Sequence, residues 1–101
     1  MATVTPQVRD EVREIAYNFF AEECEVDRSK LNDDTNIVED IGGDSLMSLE
    51  LIETFRKKFA LNTDLKSIGQ YMLEHRVDTI GKMVAFILYA IEREGDLSAK
   101  G

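Results

Sequence analysis

The chain has 101 residues, a formal net charge of −8 and a sequence pI near 4.6, and this length suits one domain with a single core. Hydrophobic residues make up 44% and charged residues 32%, which excludes the composition of a disordered chain. The acidic balance argues against nucleic-acid binding, because phosphate backbones are bound by clustered Lys and Arg.

Cysteine content and hydropathy indicate the redox compartment and whether the chain spans a membrane. Cys24 is the sole cysteine, which excludes an intrachain disulfide and a thiolate zinc site and suits a reducing cytoplasm. The longest apolar run, Met83 to Ile91, is about half the roughly 20 residues that a membrane-spanning helix needs. We therefore expect one cytoplasmic domain over 1–101, without signal peptide or membrane span, with a core at about 6–92 and a flexible tail at 95–101.

The first predicted helix begins at Thr5 and Pro6, a capping residue followed by a residue suited to the first turn. It runs to about Phe20. Apolar residues recur along it at three- and four-residue spacing and predict one buried face, formed by Val8, Val12, Ile15, Ala16, Phe19 and Phe20.

A long acidic loop follows, from Glu22 to Gly43. Between Glu22 and Asp44 there are nine acids and two bases, a net charge of −7 that accounts for most of the excess charge of the chain. A loop of this length in a small domain is usually functional. The residues expected to pin it to the core are Leu31, Ile37, Val38 and Ile41.

The second predicted helix starts after Gly42 and Gly43, with Asp44 or Ser45 as its cap. Its apolar face is predicted at Leu46, Leu49, Ile52, Phe55 and Phe59, and its outward positions include Met47, Glu50, Thr54 and Lys57.

Two further helices complete the predicted fold. A shorter third helix begins near 62–64 and fails near His75 and Arg76. A fourth, capped by Asp78 or Thr79, carries a broad apolar stripe to Ile91. No β alternation competes with these helices. The pattern predicts an all-α four-helix bundle with a long loop between the first two helices and a short third helix.

Ser45 is the candidate functional residue, although a serine in the first turn of a helix is most often a plain cap. Its position also suits an attached phosphodiester, because the first amides of a helix are unpaired and the dipole is positive there, worth about 0.3 to 1 kcal/mol. Gly42 and Gly43 are expected to leave its hydroxyl unshielded.

The segment 36–46, which ends in Gly42-Gly43-Asp44-Ser45-Leu46 and continues into an amphipathic helix, resembles the phosphopantetheine attachment region of acyl carrier proteins. The resemblance covers roughly Val8 to Ile91. It implies that a separate phosphopantetheinyl transferase moves 4'-phosphopantetheine from coenzyme A to Ser45, and that the terminal thiol then carries acyl groups. It implies no catalytic residue and no metal.

The resemblance also implies roles for neighbouring residues. Asp44 matches the acidic residue beside the attachment serine, and Leu46 follows it. The partner-facing side of the second helix would hold Leu46, Met47, Glu50, Thr54 and Lys57, and the acyl-chain cleft would involve Phe55, Ile80 and Val84. The implied partners of this monomer are acyl-transferring, condensing or acyl-ligase enzymes of fatty acid, polyketide or related specialised lipid biosynthesis.

The chain departs from the family pattern in three places. Arg56, Lys57 and Lys58 make the end of the second helix basic where the family is commonly acidic. This indicates either a specialised partner set or a helix end stabilised by cations. The segment from Phe59 to Asp78 is several residues longer than usual, and Met47 stands where a polar residue is common.

A hydrolase must be weighed against the carrier, since Gly43-Asp44-Ser45-Leu46 also spells an esterase signature. That chemistry needs an activating base and an oxyanion hole. His75 is the sole histidine, and Met72 stands where that family has an Asp three residues before its His. The chain is also too short and too helical for that fold.

A helical adaptor in which Ser45 is only a cap remains open, and so does a peptidyl carrier that handles amino acids. His75 is interpreted as a helix-end residue and Cys24 as a partly buried, inert thiol. The acidic pairs Asp33/Asp34 and Glu39/Asp40 are interpreted as a solvated face rather than a cation site.

Overall fold

The computed structural model describes residues 5–62 and 64–92. Its helices are α1 (Pro6–Glu23), α2 (Ser45–Phe59), α3 (Leu65–Glu74) and α4 (Ile80–Ala90), and a short 3-10 helix spans Arg28–Lys30 in the loop after α1. Over those residues the structure contains no strand. The predicted all-α four-helix bundle is confirmed. The tail predicted at 95–101 lies outside the described residues.

Each helix starts at a side chain that caps it. Thr5, Asp44, Asp64 and Thr79 stand in extended backbone, and each accepts a hydrogen bond from the amide three residues later. Helix α1 runs three residues past its predicted end at Phe20, because the good helix formers of 21–23 continue it. It closes where Glu25 takes a left-handed φ of 54°.

The core lies where α1 packs against α4, and α2 packs against α1. The fully buried side chains at its centre include Val12, Phe20, Leu51, Phe55, Ile80 and Met83. Helix α3 packs along α2 and buries Ile68. Leu46 does not belong to the buried face of α2 as predicted, because Leu51, Ile52 and Phe55 define that face and Leu46 points away from it.

The long loop is joined to the start of α4 by backbone hydrogen bonds. The amide of Ile37 donates to the Asp78 carbonyl at 2.9 Å, the amide of Ile80 to Thr35 at 3.1 Å, and the amide of Gly81 to Asp33 at 2.9 Å. These bonds cross between segments more than 40 residues apart, so the loop is a fixed part of the fold.

Ile37 and Leu31 are buried and Ile41 is half-buried, as predicted for residues that pin the loop. The same prediction for Val38 is wrong, since its side chain is 59% exposed. The reason lies in Asn36, whose side-chain oxygen accepts from the amides of Val38 and Glu39 at 3.0 and 2.8 Å. That turn directs the chain outward directly after Ile37.

Polar contacts tie the loop to α1 as well. The carboxylate of Asp33 accepts from the Tyr17 hydroxyl at 2.6 Å and from Arg13 at 2.9 and 3.1 Å. The Tyr17 hydrogen bond, and after it the Arg13 guanidinium, lower the pKa of Asp33 below its ordinary value. Arg28 makes a two-point contact with Glu14, both at 2.6 Å. Part of the predicted solvated acidic face is therefore paired.

Candidate functional site

The start of α2 has its cap supplied by Asp44. Its Oδ1 accepts from the amide of Met47 at 2.8 Å, and its carbonyl accepts from Ser48 at 3.2 Å. Ser45 is the first helical residue and is exposed, and its hydroxyl makes no hydrogen bond to any residue that the structure describes. The sequence left Asp44 and Ser45 as alternative caps, and the structure assigns the cap to Asp44.

Two glycines directly precede the start of α2, and each is required there for a different structural reason. Gly42 has φ +73°, which a residue with a side chain rarely adopts. Gly43 is buried, and a Cβ there would lie 2.7 Å from Ile37 Cγ2 and 3.1 Å from the Ile37 carbonyl oxygen. Gly43 therefore allows a close approach between the loop and the helix start, which leaves Ser45 on the surface.

The helix start offers an electrostatic site for an anion on Ser45. The amides of Ser45 and Leu46 precede the first backbone hydrogen bond of the helix, which the Ser48 amide makes. A phosphodiester at this position would be stabilised by about 0.3 to 1 kcal/mol. An exposed hydroxyl at a helix start with two unbonded amides fits phosphopantetheine attachment.

The predicted partner-facing residues fall on one exposed stripe of α2, with one exception. Leu46 is 65% exposed, and Glu50, Thr54 and Lys57 are exposed along the same face. Met47 is half-buried instead, because it leads the row that continues with the buried Leu51 and Phe55. Its thioether accepts a hydrogen bond from the Cys24 thiol at 3.5 Å.

The three cations at the end of α2 are in different situations. Arg56 contacts Glu53 at 2.7 Å, and Lys58 contacts Glu11 of α1 at 3.2 Å. Lys57 has no ion-pair partner among the described residues and is exposed. Of the basic triplet that departs from the family pattern, two members are engaged within the fold and Lys57 is presented to solvent.

A groove of about 450 Å³ begins at Ser45 and lies between α2, α3 and the loop. Its walls include Val38, Asp44, Ser45, Leu49, Lys66 and Leu73. Leu73 is 82% exposed. The sequence analysis did not predict this groove, although Leu73 is out of register with the apolar stripe of Leu65, Ile68 and Met72 and so indicated a second apolar surface on α3.

A second groove, of about 340 Å³, lies between α2, α3 and α4 and includes Phe55, Ile68 and Tyr71 in its walls. Phe55 was predicted to border an acyl-chain cleft, and it lines this space. Ile80 and Val84, predicted for the same cleft, are buried in the packed core and line neither of these two grooves. The cleft assignment of these three residues stays a prediction.

His75 lies outside the Ser45 groove. Its ring stacks on Tyr71 with centroids 3.8 Å apart, and its Nδ1 is 3.0 Å from the Tyr71 carbonyl oxygen, at the end of α3. The position agrees with the prediction of a helix-end residue. The described walls of the groove at Ser45 contain no histidine.

Cys24 is half-buried at the end of α1, as predicted. Burial first, and then the nearby charges of Glu23 and Asp44, raise the pKa of its thiol, so that little thiolate forms near neutral pH. Within the described ranges, no three His, Cys, Asp or Glu side chains converge as a metal site. No helix among the described residues is long and apolar enough to cross a membrane.

Comparison with known proteins identifies the class of this domain. Residues 16–87 match the family described as "Phosphopantetheine attachment site". An "Acyl carrier protein homolog" of Clostridium acetobutylicum is 44% identical over 101 residues, which is 100% of this chain and 98% of the relative. An "Acyl carrier protein" of Thermotoga maritima is 24% identical over 79 residues, 78% of this chain and 90% of the relative.

These matches define a phosphopantetheine-bearing carrier domain. The chain belongs to the acyl carrier protein family, and its cofactor is 4'-phosphopantetheine.

Proposed function

We propose that Ser45 is the attachment residue for 4'-phosphopantetheine and that the protein carries acyl intermediates between enzymes. The observation that carries this proposal is the cap assignment: Asp44 Oδ1 bonds the Met47 amide at 2.8 Å, so the Ser45 hydroxyl has no capping role. It stands exposed at a helix start and at the mouth of a groove. When bound, the group supplies a terminal thiol that holds the acyl chain as a thioester.

The residues around Ser45 prepare it for a separate transferase. Asp44 fixes the first turn, so that the Ser45 hydroxyl is held on the exposed side of α2. The acidic loop before it carries a net charge of −7 between Glu22 and Asp44, which would attract a transferase with a basic surface. Leu46, 65% exposed, adds an apolar contact beside the reacting hydroxyl.

The stripe of Leu46, Glu50, Thr54 and Lys57 is the proposed contact surface for acyl-transferring, condensing or acyl-ligase enzymes. Met47 contributes only the part of its side chain that its packing against Cys24 leaves accessible. Lys57 gives the far end of the stripe a positive charge, which would favour partners with an acidic contact there.

The proposed pathway is fatty acid, polyketide or a related specialised lipid biosynthesis, and the names of both relatives support an acyl cargo. Phe55, Ile80 and Val84 are proposed to surround an acyl chain that enters between the helices; this would require the buried Ile80 and Val84 to shift. We further propose a monomeric, cytoplasmic, non-catalytic carrier that forms a single domain over 1–101.

The attachment residue can be tested by intact mass spectrometry after incubation with coenzyme A, Mg²⁺ and a broad-specificity phosphopantetheinyl transferase. The wild type should gain one phosphopantetheine increment, and Ser45→Ala should gain none. Ser48→Ala is the matched control, because Ser48 lies three residues along in the same turn but is only 5% exposed, and it should be modified normally. Circular dichroism confirms that each variant is folded.

An increment that persists in Ser45→Ala would overturn the proposed attachment residue. No increment in the wild type with several transferases would instead favour a degenerate carrier that serves as a helical adaptor.

The role of Lys57 has its own test. Lys57→Glu should change the association rate with cognate enzymes several-fold, with the change reduced at high salt. The control with the same charge change is Arg9→Glu on α1, an exposed cation outside both the proposed stripe and the acidic loop. Unchanged binding to every cognate enzyme would remove Lys57 from the contact surface.

A further inference from the structure

Of the charged residues in the groove at Ser45, the two acids have bonding partners and the lysine has none among the described residues. Asp44 uses its carboxylate as the cap of α2, and Asp78 contacts Lys82 at 3.2 Å. Lys66, on α3, is the one cation in the described walls of the groove. Its ammonium group has no partner among the residues that the structure describes. Although the chain has a net charge of −8, no acidic side chain among the described residues forms an ion pair with this lysine.

The face of α3 that holds Lys66 is unusual for a helix beside a core. Lys66, Gly69, Gln70 and Leu73 follow one another at the spacing of a single helix face, and all four line the groove. Ile68, on the apolar face of the helix, is buried and does not line the groove, whereas Met72 of that face does. The groove wall is therefore built mainly from the outer side of α3, and Lys66 is the one cation in its described part.

Gly69 stands in the interior of α3, where glycine is an unfavourable residue. Glycine in a helix interior is less stable than alanine by about 0.5 to 1 kcal/mol. A Cβ at Gly69 would meet no atom within 4 Å, and its φ is not in the left-handed region. Neither packing nor backbone conformation requires glycine here. Its effect is to leave space on the groove wall one turn from Lys66.

We infer that Lys66 pairs with a negatively charged oxygen of the arm attached to Ser45 when the arm lies in this groove, and that Gly69 leaves the space for that contact. The inference rests on the proposed function, since Ser45 must bear the arm. Two sources could supply the anion: the phosphodiester itself, or the carboxylate of a dicarboxylic acyl group at the far end of the arm.

Hydrogen exchange of the α3 amides tests this pairing without an enzymatic activity. Contact between the arm and Lys66 would oppose local opening of α3, so its amides should exchange about 1.5- to 5-fold more slowly in a loaded form than in the apo protein, the range typical of an exposed ion pair. The forms to compare are apo, holo, butyryl-loaded and malonyl-loaded, each verified by intact mass.

The loaded forms distinguish the two anions. Slowing that is already present in the holo form assigns the phosphodiester as the partner of Lys66. Slowing that appears only with malonyl, and not with the uncharged butyryl group of similar size, assigns the carboxylate. In either case Lys66→Gln should abolish the slowing, Lys66→Arg should retain it, and Lys57→Gln, a lysine outside the groove, should leave it unchanged.

Gly69 variants test the space independently. Gly69→Ala and Gly69→Leu should both slow exchange of α3 in the apo protein, because both residues favour a helix more than glycine does. Only Gly69→Leu fills the groove, so only this variant should lose the additional slowing on loading.

Equal exchange of the α3 amides in the apo and loaded wild type would overturn the inference. So would a Lys66→Gln variant in which α3 exchange changes as much in the apo protein as in the loaded one. In both outcomes the mass increment on Ser45 would still support the proposed function. Absence of any mass increment would overturn the proposed function and this inference with it.

Discussion

The starts of α2 and α4 are alike in local structure and opposite in surroundings. Asp44 caps α2 and Thr79 caps α4, each by bonding the amide three residues later. At α4 the loop lies across the helix start, where the amides of Ile80 and Gly81 donate to loop carbonyls. At α2 the corresponding residues, Ser45 and Leu46, are exposed and their amides precede the helical hydrogen bonds.

A capping pattern therefore predicts where a helix begins but not whether the helix start is covered or open. The start of α4 is covered by the loop, and the hydrogen bonds between them stabilise the fold. The start of α2 is open, so it presents a hydroxyl and the positive end of the helix dipole to solvent. Ile37 links the two regions, because its amide bonds Asp78 before α4 and its carbonyl accepts from Gly43 before α2 at 2.7 Å.

The largest expected effect is therefore at Ile37. Ile37→Ala should destabilise the protein by about 2 to 5 kcal/mol, because most of a side chain that is buried in the core is lost while the backbone hydrogen bonds of the residue remain. Its neighbour Val38 is 59% exposed, and Val38→Ala should change stability by less than about 0.5 kcal/mol. Urea unfolding at pH 7 measures both. Similar losses for the two variants would contradict the assigned orientation of the loop.

Next in size is the loop contact over α4. In Gly81→Ala the new Cβ would lie 2.7 Å from Asp33 Cβ and 2.8 Å from the Asp33 carbonyl oxygen, so the loop must shift at a loss of about 1 to 3 kcal/mol. Gly69→Ala is the control, since its Cβ meets no atom within 4 Å. It should stabilise the apo protein by about 0.5 to 1 kcal/mol. Urea unfolding that gives both variants the same sign would refute the close approach at Gly81.

The cap assignment at α2 predicts a smaller contrast. Asp44→Ala should destabilise the apo protein by about 1 kcal/mol through loss of the hydrogen bond to Met47. Ser45→Ala should stay within about 0.5 kcal/mol of the wild type. Thermal or urea unfolding of the two variants decides the matter. A loss in Ser45→Ala as large as that in Asp44→Ala would mean that the serine, too, stabilises the helix start.

The smallest effect is expected from the Asp33 carboxylate, in the loop that covers the start of α4, whose contribution to the free energy of unfolding depends on pH. Its folded-state pKa is lowered, so its contribution is present above the unfolded-state pKa and is lost as the pH falls through the folded-state value. Because Arg13 and Asp33 are both substantially exposed, the contribution should stay below about 1 kcal/mol. In urea unfolding, Asp33→Asn should flatten the loss of stability that the wild type shows as the pH falls below the ordinary range of carboxyl pKa values.

Tyr17→Phe offers a matched check on the cause of that shift. The Tyr17 hydroxyl is the largest influence that lowers the Asp33 pKa, so removing it should raise that pKa in a carboxyl NMR titration. An unchanged pKa in Tyr17→Phe would assign the shift to Arg13 instead.

The helix starts could be predicted from the sequence because capping residues and apolar spacing are local signals. Thr5, Asp64 and Thr79 cap the helices at or near the positions predicted. The exposure of Val38 could not be predicted, because it depends on the turn that Asn36 makes. The pairing of Arg13 with Asp33 across 20 residues leaves no periodic signal either.

At the candidate site, too, some features could be predicted from the sequence and others required the structure. Ser45 and Asp44 could be identified from a contiguous motif, but which of them caps the helix required the geometry. The half-buried position of Met47 follows from its row with Leu51 and Phe55, which the spacing contained. The groove wall from Lys66 to Leu73 depends on how α3 lies against α2 and the loop, and no local pattern gives that arrangement.

Fragmentation mass spectrometry of the wild-type holo protein tests whether Ser45, at the open start of α2, carries the arm, and it requires no variant. We expect phosphopantetheine on Ser45, which is exposed, and an unmodified Ser48, which is 5% exposed and three residues away. Phosphopantetheine on Ser48, or on any residue other than Ser45, would refute this assignment.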